Sequence, residues 1–270
     1  MLATIVNQTN VINSSKVKLQ DNLELHIINF SDYDDSYKEL LDKYLAYLCE
    51  GTNDVKKLKR VKQRIRNYLD GKKNDPTKVA GWLAELYCHI YLTENKFKPA
   101  FLFQNLEEQN SMKKGFDGFY IKKDAYFIYE SKSNLPSDKT KCHNEGLKVA
   151  YNDLKKKVEG KNISKNKKPI DPWTNALNHY KLSNIKKSKT LVAQLDEIID
   201  NFFDSKFLQI NDCNIIPSST IYLDSKYHEI DKKALKKLIN ENSSYFVAKN
   251  NILLCINKKS FDYIKDYLNG

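Results

Sequence analysis

GFDGFYIKKDAYFIYESKSN, residues 115–134, is the stretch on which the reading of this chain turns. Two runs rich in aromatic and β-branched residues flank the polar pair Lys123-Asp124, the pattern of two strands joined by a tight turn. Yet Asp117, Glu130 and Lys132 stand inside or at the ends of these strands, where charged residues are poor strand formers and costly to bury. If Lys123 and Asp124 form a two-residue turn, Lys122 pairs with Ala125, and the same register sets Asp117 opposite Glu130. Their Cβ atoms would then lie about 4.5–5.5 Å apart. Phe119 with Ile128 and Ile121 with Tyr126 share that face, and the strand's period of two brings Lys132 onto it. A turn of the other parity would send Asp117 to the opposite face.

Two carboxylates this close repel each other, so either a cation sits between them or one is protonated. Mg²⁺ suits such a pair, because it takes few carboxylates and keeps several waters and substrate phosphate oxygens in its shell, with Mn²⁺ as a substitute. Lys132 beside them is a compact positive charge able to polarise a water or neutralise a phosphate. The cluster therefore points to metal-assisted attack on a phosphodiester. Upstream, VAGWLAELYCHIYL places Glu85 within or beside the stripe Val79, Trp82, Leu83, Leu86 and Ile90, so a third carboxylate could face the cluster. The competing reading of Asp117, Glu130 and Lys132 is a salt bridge near strand ends, and of Glu85 a half-exposed residue at the stripe's edge.

Outward from the hairpin, SYKELLDKYLAYLCEG, DVKKLKRVKQRIRNYLDG and DPTKVAGWLAELYCHIYLTEN carry helical periodicity, the last with Pro76 at its first turn. PAFLFQN reads as a strand, so three strands follow in a row, and NEGLKVAYNDLKKKV reads as a helix. Residues 157–172 read as a loop, NIIPSSTIYL as extended, KTLVAQLDEIIDNFF and HEIDKKALKKLINEN as helices, and the C-terminal YFVAKNNILLCINKKSFDYIKDYLNG as a strand followed by a helix. These elements imply an α/β fold, a central mixed sheet covered by helices on both faces, since AYFIYES is apolar on both sides. Residues 1–75 are expected as a strand and helical region packed on a core of 76–270, in one unit.

Composition narrows the function classes. The chain has 270 residues, 41% hydrophobic, which excludes wholesale disorder. No run of about 18 apolar residues predicts a membrane span, and MLATIVNQTN lacks the basic and apolar regions of a signal peptide. The five scattered cysteines show no CxxC spacing, so a reducing cytoplasmic setting is expected and a disulfide scaffold or structural zinc is not. The five histidines and KSFDY and PWTNALNHY lack ligand or stacking spacing and read as packing residues. The net charge of +11 suits a polyanionic partner, although the lysine, asparagine and isoleucine content also fits A/T-rich codons. Lys56, Lys57, Lys59 and Arg60 on one helix, and Lys155, Lys156 and Lys157 near the loop, are candidate phosphate contacts or simply solvated faces. No GxxxxGK[ST] loop occurs, so no nucleotide bound by this chain is expected and any ATPase must come from a partner.

Glu on a helix, then Asp, then Glu-x-Lys across a hairpin resembles the PD-(D/E)xK nuclease superfamily, here as Glu85, Asp117 and Glu130-Ser131-Lys132, with Phe116 where the motif has Pro. The order helix, strand, strand, strand, helix over 76–158 also matches that superfamily's restriction-endonuclease-like core. Within it, the chain is similar over about residues 75–225 to the nuclease subunit (HamA) of Hachiman antiphage defence systems, through its length, the central YFIYESKS and the downstream IIPSSTIYL. The resemblance implies a DNA-cleaving effector held in check by a helicase subunit (HamB-like). It also implies roles: Asp117, Glu130 and the Ser131 backbone carbonyl as metal ligands, Glu85 assisting the metal, and Lys132 orienting the attacking water. Lys148, on the following helix, would contact phosphate. Two other functions stay open: a stand-alone sequence-specific restriction endonuclease, and a catalytically silent DNA-binding or assembly subunit on the same scaffold.

Overall fold

The hairpin forms in the register that the alternation demands. In a computed structural model, Lys122 pairs with Ala125, Ile121 with Tyr126, Phe119 with Ile128 and Gly118 with Tyr129. Lys123 and Asp124 make the turn at φ 49° and 60°, both left-handed, as a two-residue turn that follows the strand twist requires. Neither is glycine, so the turn is held by the strands it joins. The structure describes residues 5–9, 12–30, 35–51, 54–103, 115–138, 142–183, 185–259 and 263–269.

In chain order the elements are β1 (Ile5–Thr9), β2 (Ile12–Gln20), β3 (Leu23–Phe30), α1 (Asp35–Glu50), α2 (Val55–Gly71), α3 (Pro76–Glu94), β4 (Lys98–Pro99), β5 (Gly118–Lys122) and β6 (Ala125–Asn134). They continue with α4 (His143–Val158), α5 (Trp173–Leu182), α6 (Lys189–Phe203), β7 (Asn214–Tyr222), α7 (Lys232–Glu241), β8 (Asn250–Lys258) and α8 (Tyr263–Asn269). One eight-stranded sheet runs in the order β1-β2-β3-β8-β7-β6-β5-β4. It is mixed: β3, β8, β7 and β6 are parallel neighbours, and antiparallel pairs flank them on either side. The N-terminal strands are thus part of the same sheet as the hairpin, joined through β3 beside β8.

Alternation along the strands sorts the core into two layers. Phe119, Ile121, Tyr126 and Ile128 bury against Leu147, Tyr151 and Leu154 of α4, with α5, α6 and α7 completing that side. Tyr120, Tyr129, Ile216 and Leu254 bury on the other side against α3, with α1, α2 and α8 beyond it. The aromatics of PWTNALNHY are core: Trp173 and Tyr180 are fully buried. Helix α3 is buried around most of its circumference, from Val79 to Leu92, and the Tyr222 hydroxyl donates to the Ala80 carbonyl at 3.0 Å. Its start follows the expected chemistry, with Pro76 in the first turn and the Asp75 side chain accepting from the Lys78 N–H.

Two boundaries differ from expectation. Of the strand expected over PAFLFQN only Pro99 lies in the sheet, in the two-residue β4. The Ala100 N–H still donates to the Phe119 carbonyl, but Phe103 bonds to Leu48, and Phe101 and Phe103 bury in opposite layers, so the chain leaves the sheet. Gln104 and Asn105 lie outside the described residues. The helix expected over NEGLKVAYNDLKKKV ends at Val158 as read, with Lys155, Lys156 and Lys157 in its last turn where their charge complements the helix dipole, so only the start of the loop expected from residue 157 moves, by two residues. The KSFDY motif falls partly outside the described residues.

Helix α4 lies close on the sheet because of Gly146. A Cβ there would stand 2.9 Å from Cβ of Ser219 on β7. Its first residue, His143, is buried between Ser219 Oγ and Asn257 Oδ1, at 3.1 and 3.0 Å from its two ring nitrogens. These contacts anchor the N-terminal end of α4, and the far end then passes over the C-terminal half of β6.

Candidate active site

Strand β5 begins only at Gly118, while its partner β6 runs past that point through Glu130, Ser131 and Lys132 alongside β7. A gap opens beside β6 ahead of β5, and Asp117 occupies it. Its N–H donates to the Tyr129 carbonyl at 3.1 Å, and its Oδ2 accepts the Ser131 N–H at 2.8 Å. A side-chain carboxylate thus takes the place of the next ladder carbonyl and is fixed by the backbone of the opposite strand. Because the N–H and C=O of a strand residue point the same way, the Ser131 carbonyl also faces this gap.

Glu130 lies on the α4 side of β6 with only 5% of its side chain exposed. Its two oxygens meet two lysines, Oε1 with Lys132 at 3.2 Å and Oε2 with Lys157 at 2.5 Å. Lys132 reaches on to Asp153 of α4 at 2.7 Å. Asp153 and Lys157, four residues apart, project from one face of α4 onto the strand. Burial, reinforced by the nearby Asp117 charge, pushes the Glu130 carboxyl up to about 7 despite both lysines. Lys132 is less enclosed. Burial pulls it down, but Glu130 and Asp153 outweigh that and hold it above the ordinary lysine range, so it stays an ammonium.

Glu85 is half-buried on α3, which covers the opposite face of the sheet. On that helix Gly81 approaches Ser133 Oγ at 4.0 Å and Cys88 lies 3.1 Å from Ser218 Oγ, which sets Glu85 at the level of Ser131. Burial raises the Cys88 thiol to about 11, and the charges of Glu85 and Asp117 add to it. Asp117 is therefore felt on both faces, by Glu130 on one and by Cys88 on the other, as its position in the gap requires. Phe116, standing where the motif has Pro, is buried against Trp173 at a ring separation of 5.1 Å. Just before it, Gly115 (φ 81°) lies where a Cβ would meet Cα of Pro172 at 2.6 Å.

The remaining candidates scatter. Lys148 is engaged with Glu145, at 3.6 Å, and with the Tyr245 ring. Lys56, Lys57, Lys59 and Arg60 lie on α2, in the layer beyond α3, and Arg60 is engaged by Glu50 at 2.6 Å. Lys155 and Lys156 share the last turn of α4 with Lys157. Asp153 was missed in the sequence, as was the contact of Lys157 with Glu130. Their signal was the four-residue spacing along a helix that follows the hairpin.

The donor set fits a hard divalent ion. Asp117 has one oxygen fixed by Ser131 and the other free of that bond, the Ser131 carbonyl faces the same gap, and Glu130 would join them as a ligand by giving up its contact with Lys132 or Lys157. Burial first and the Asp117 charge second raise the Glu130 carboxyl, and a cation bound between the two carboxylates would offset the second of these. Among the described residues no cluster of three or more His, Cys, Asp or Glu side chains is placed to hold a metal, so an ion here would rest on two carboxylates and a carbonyl. Among the described residues no helix is long and apolar enough to cross a membrane. Comparisons with protein-family models, curated proteins and solved structures found no match for this chain.

Proposed function

We propose that this chain is a Mg²⁺-dependent nuclease that hydrolyses DNA phosphodiester bonds, acting as the effector subunit of a bacterial antiphage defence system under the control of a helicase partner. The observation that supports the chemistry is the Asp117 carboxylate locked by the Ser131 N–H across the hairpin from buried Glu130, with Lys132 beside it. Asp117, Glu130 and the Ser131 carbonyl would hold the metal. Mg²⁺, or Mn²⁺ in its place, supplies Lewis-acid polarisation of a phosphate oxygen and lowers the pKa of a bound water.

Each residue of the chain then has a definite task. Asp117 is oriented by backbone and cannot swing away. Lys132, kept protonated by Glu130 and Asp153, orients the attacking water by donation and offsets charge developing on the phosphorane oxygens. It does not serve as the base. Lys157 lies close enough to Glu130 to meet a phosphate presented there, with Lys155 and Lys156 continuing the basic edge of α4. This favours DNA approach along the end of α4 over the α2 face, whose Arg60 is already paired. Glu85 would act from the α3 side of the gap. The helicase follows from the resemblance to Hachiman nucleases and from the need to restrain an indiscriminate nuclease in its own cell.

The experiment is cleavage of supercoiled plasmid with Mg²⁺, with EDTA, and by the Glu130→Gln and Lys132→Ala forms. Conversion to nicked or linear DNA only with metal, and its loss in both variants, is expected from the chain alone or from its co-expressed complex with the neighbouring helicase. Undiminished cleavage by Glu130→Gln would refute the assignment. Failure of chain and helicase to co-elute would remove the defence-system reading while leaving the chemistry intact.

A further inference from the structure

The parallel strands carry the candidate active site at their C-terminal ends. At their opposite ends lies a second basic cavity, of about 540 Å³, within the size range of small-molecule sites. Lys16 on β2 and Lys122 on β5 converge there over a floor of Phe127 and Ile252. Neither lysine has an ion-pair partner among the described residues, whereas Lys18 at the rim is taken by Asp21 at 2.7 Å. Lys122 rests 3.9 Å above the Phe97 ring, which fixes its direction. Burial, then the charges of Lys16 and Lys123, lower Lys122 against the opposing pull of Glu24, so an anion between the two ammoniums would be stabilised there.

The wall of this cavity holds polar groups with acceptor capacity left over beyond their bonds within the fold, since the Asn251 amide already donates to the Asn22, Phe246 and Ala248 carbonyls. Glu24 lies 2.9 Å from Nε2 of the buried His26, whose Nδ1 is 3.0 Å from the Tyr91 hydroxyl. Burial pulls His26 below its ordinary value, so it stands neutral and Glu24 keeps its negative charge facing the cavity. Asn251, 1% exposed, also lines the cavity, and its Oδ1 has no hydrogen-bond partner among the described residues. Lys16, Lys122 and the neighbouring Lys123 against Glu24 leave an excess of positive charge that suits a doubly charged anion. The apolar floor suits a flat ring. Glu24 and Asn251 suit hydroxyl or amino donors.

We propose that this cavity binds a small phosphate monoester carrying a nucleobase-sized ring, a 5′-mononucleotide, with the phosphate between Lys16 and Lys122 and the ring over Phe127 and Ile252. The phosphate is held by side-chain ammoniums, so the lack of a glycine-rich phosphate loop is no obstacle. The inference does not depend on the nuclease reading.

Calorimetric titration of the full chain in EDTA with adenosine 5′-monophosphate, adenosine and inorganic phosphate tests it. One mononucleotide per chain is expected, with adenosine and phosphate each at least about tenfold weaker. Lys16→Ala/Lys122→Ala should lower the affinity about tenfold or more, and Lys206→Ala, far from the cavity, should leave it unchanged. If the double variant fails to fold, protection of Lys16 and Lys122 from acetylation by the mononucleotide in the natural chain reads the same contact. Absence of saturable binding, unchanged affinity in the folded double variant, or no protection would overturn the proposal. So would a 5′-phosphorylated oligonucleotide binding there more tightly than the mononucleotide, which would assign the cavity to nucleic acid.

Discussion

Replacing Glu130 by Gln should stabilise this protein above neutral pH, although it removes two lysine contacts. The reason is the cost of holding a charged carboxylate in a site that is 5% exposed and beside Asp117. In the folded chain this carboxyl is raised from 4.5 to about 7. A group raised on folding contributes stability that is fully present below its unfolded value and is lost as pH climbs through the folded value. Between pH 4.5 and 7 the natural protein should therefore lose about 3 kcal/mol at this residue. Gln, which is neutral throughout, escapes that loss. Urea unfolding followed by tryptophan fluorescence at pH 5, 6, 7 and 8 gives the comparison, and the difference between the two proteins cancels every other titrating group. The expected difference is about 1 kcal/mol at pH 5 and grows to about 3 kcal/mol in favour of Gln at pH 8, with cleavage abolished. A variant that is less stable than the natural protein at pH 8 would mean that the ion pairs dominate. The cluster would then be a structural salt bridge and the metal-site reasoning would fall.

Burial lowers His143 to about 4, so it folds neutral, and its stabilisation is present above its ordinary value of 6.5 and lost as pH falls toward 4. His143→Gln should remove that acid sensitivity, visible as a flatter unfolding midpoint between pH 6.5 and 4. Gly146→Ala forces a Cβ into Ser219 and should cost about 1–3 kcal/mol while reducing cleavage further than stability alone explains, since lifting α4 moves Asp153 and Lys157 off the site. Normal activity in a folded Gly146→Ala protein would show that α4 does not position the cluster. Asp124→Gly relieves a left-handed residue in the hairpin turn and should raise stability by about 1 kcal/mol, read as an increased thermal midpoint with unchanged cleavage.

Much of the site was legible in the hairpin itself. Alternation of apolar residues and a two-residue turn are local properties, so the register from Lys122–Ala125 to Gly118–Tyr129 followed from twenty residues of sequence, whereas Asp117, expected opposite Glu130, instead donates its N–H to the Tyr129 carbonyl and takes the Ser131 N–H on its side chain. Helix starts such as Asp75-Pro76 were legible for the same reason, because capping is settled within one turn. Contacts between distant segments were not. Nothing local says that β3 lies beside β8, or that residues 5–30 complete the sheet that carries the hairpin. The end of α4 at Val158 was legible, because NEGLKVAYNDLKKKV keeps its helical pattern to that residue, but the partnership of Lys157 and Asp153 with Glu130 was not. Periodicity shows which face a helix presents. Which face it meets depends on how closely two surfaces can approach, and here that is decided by a glycine against a serine, Gly146 on Ser219, more than ten residues from Lys157 along the chain. The raised Glu130 carboxyl has the same origin, since only burial beneath α4 and the convergence with Asp117 turn an ordinary glutamate into one that gives up its proton near neutrality.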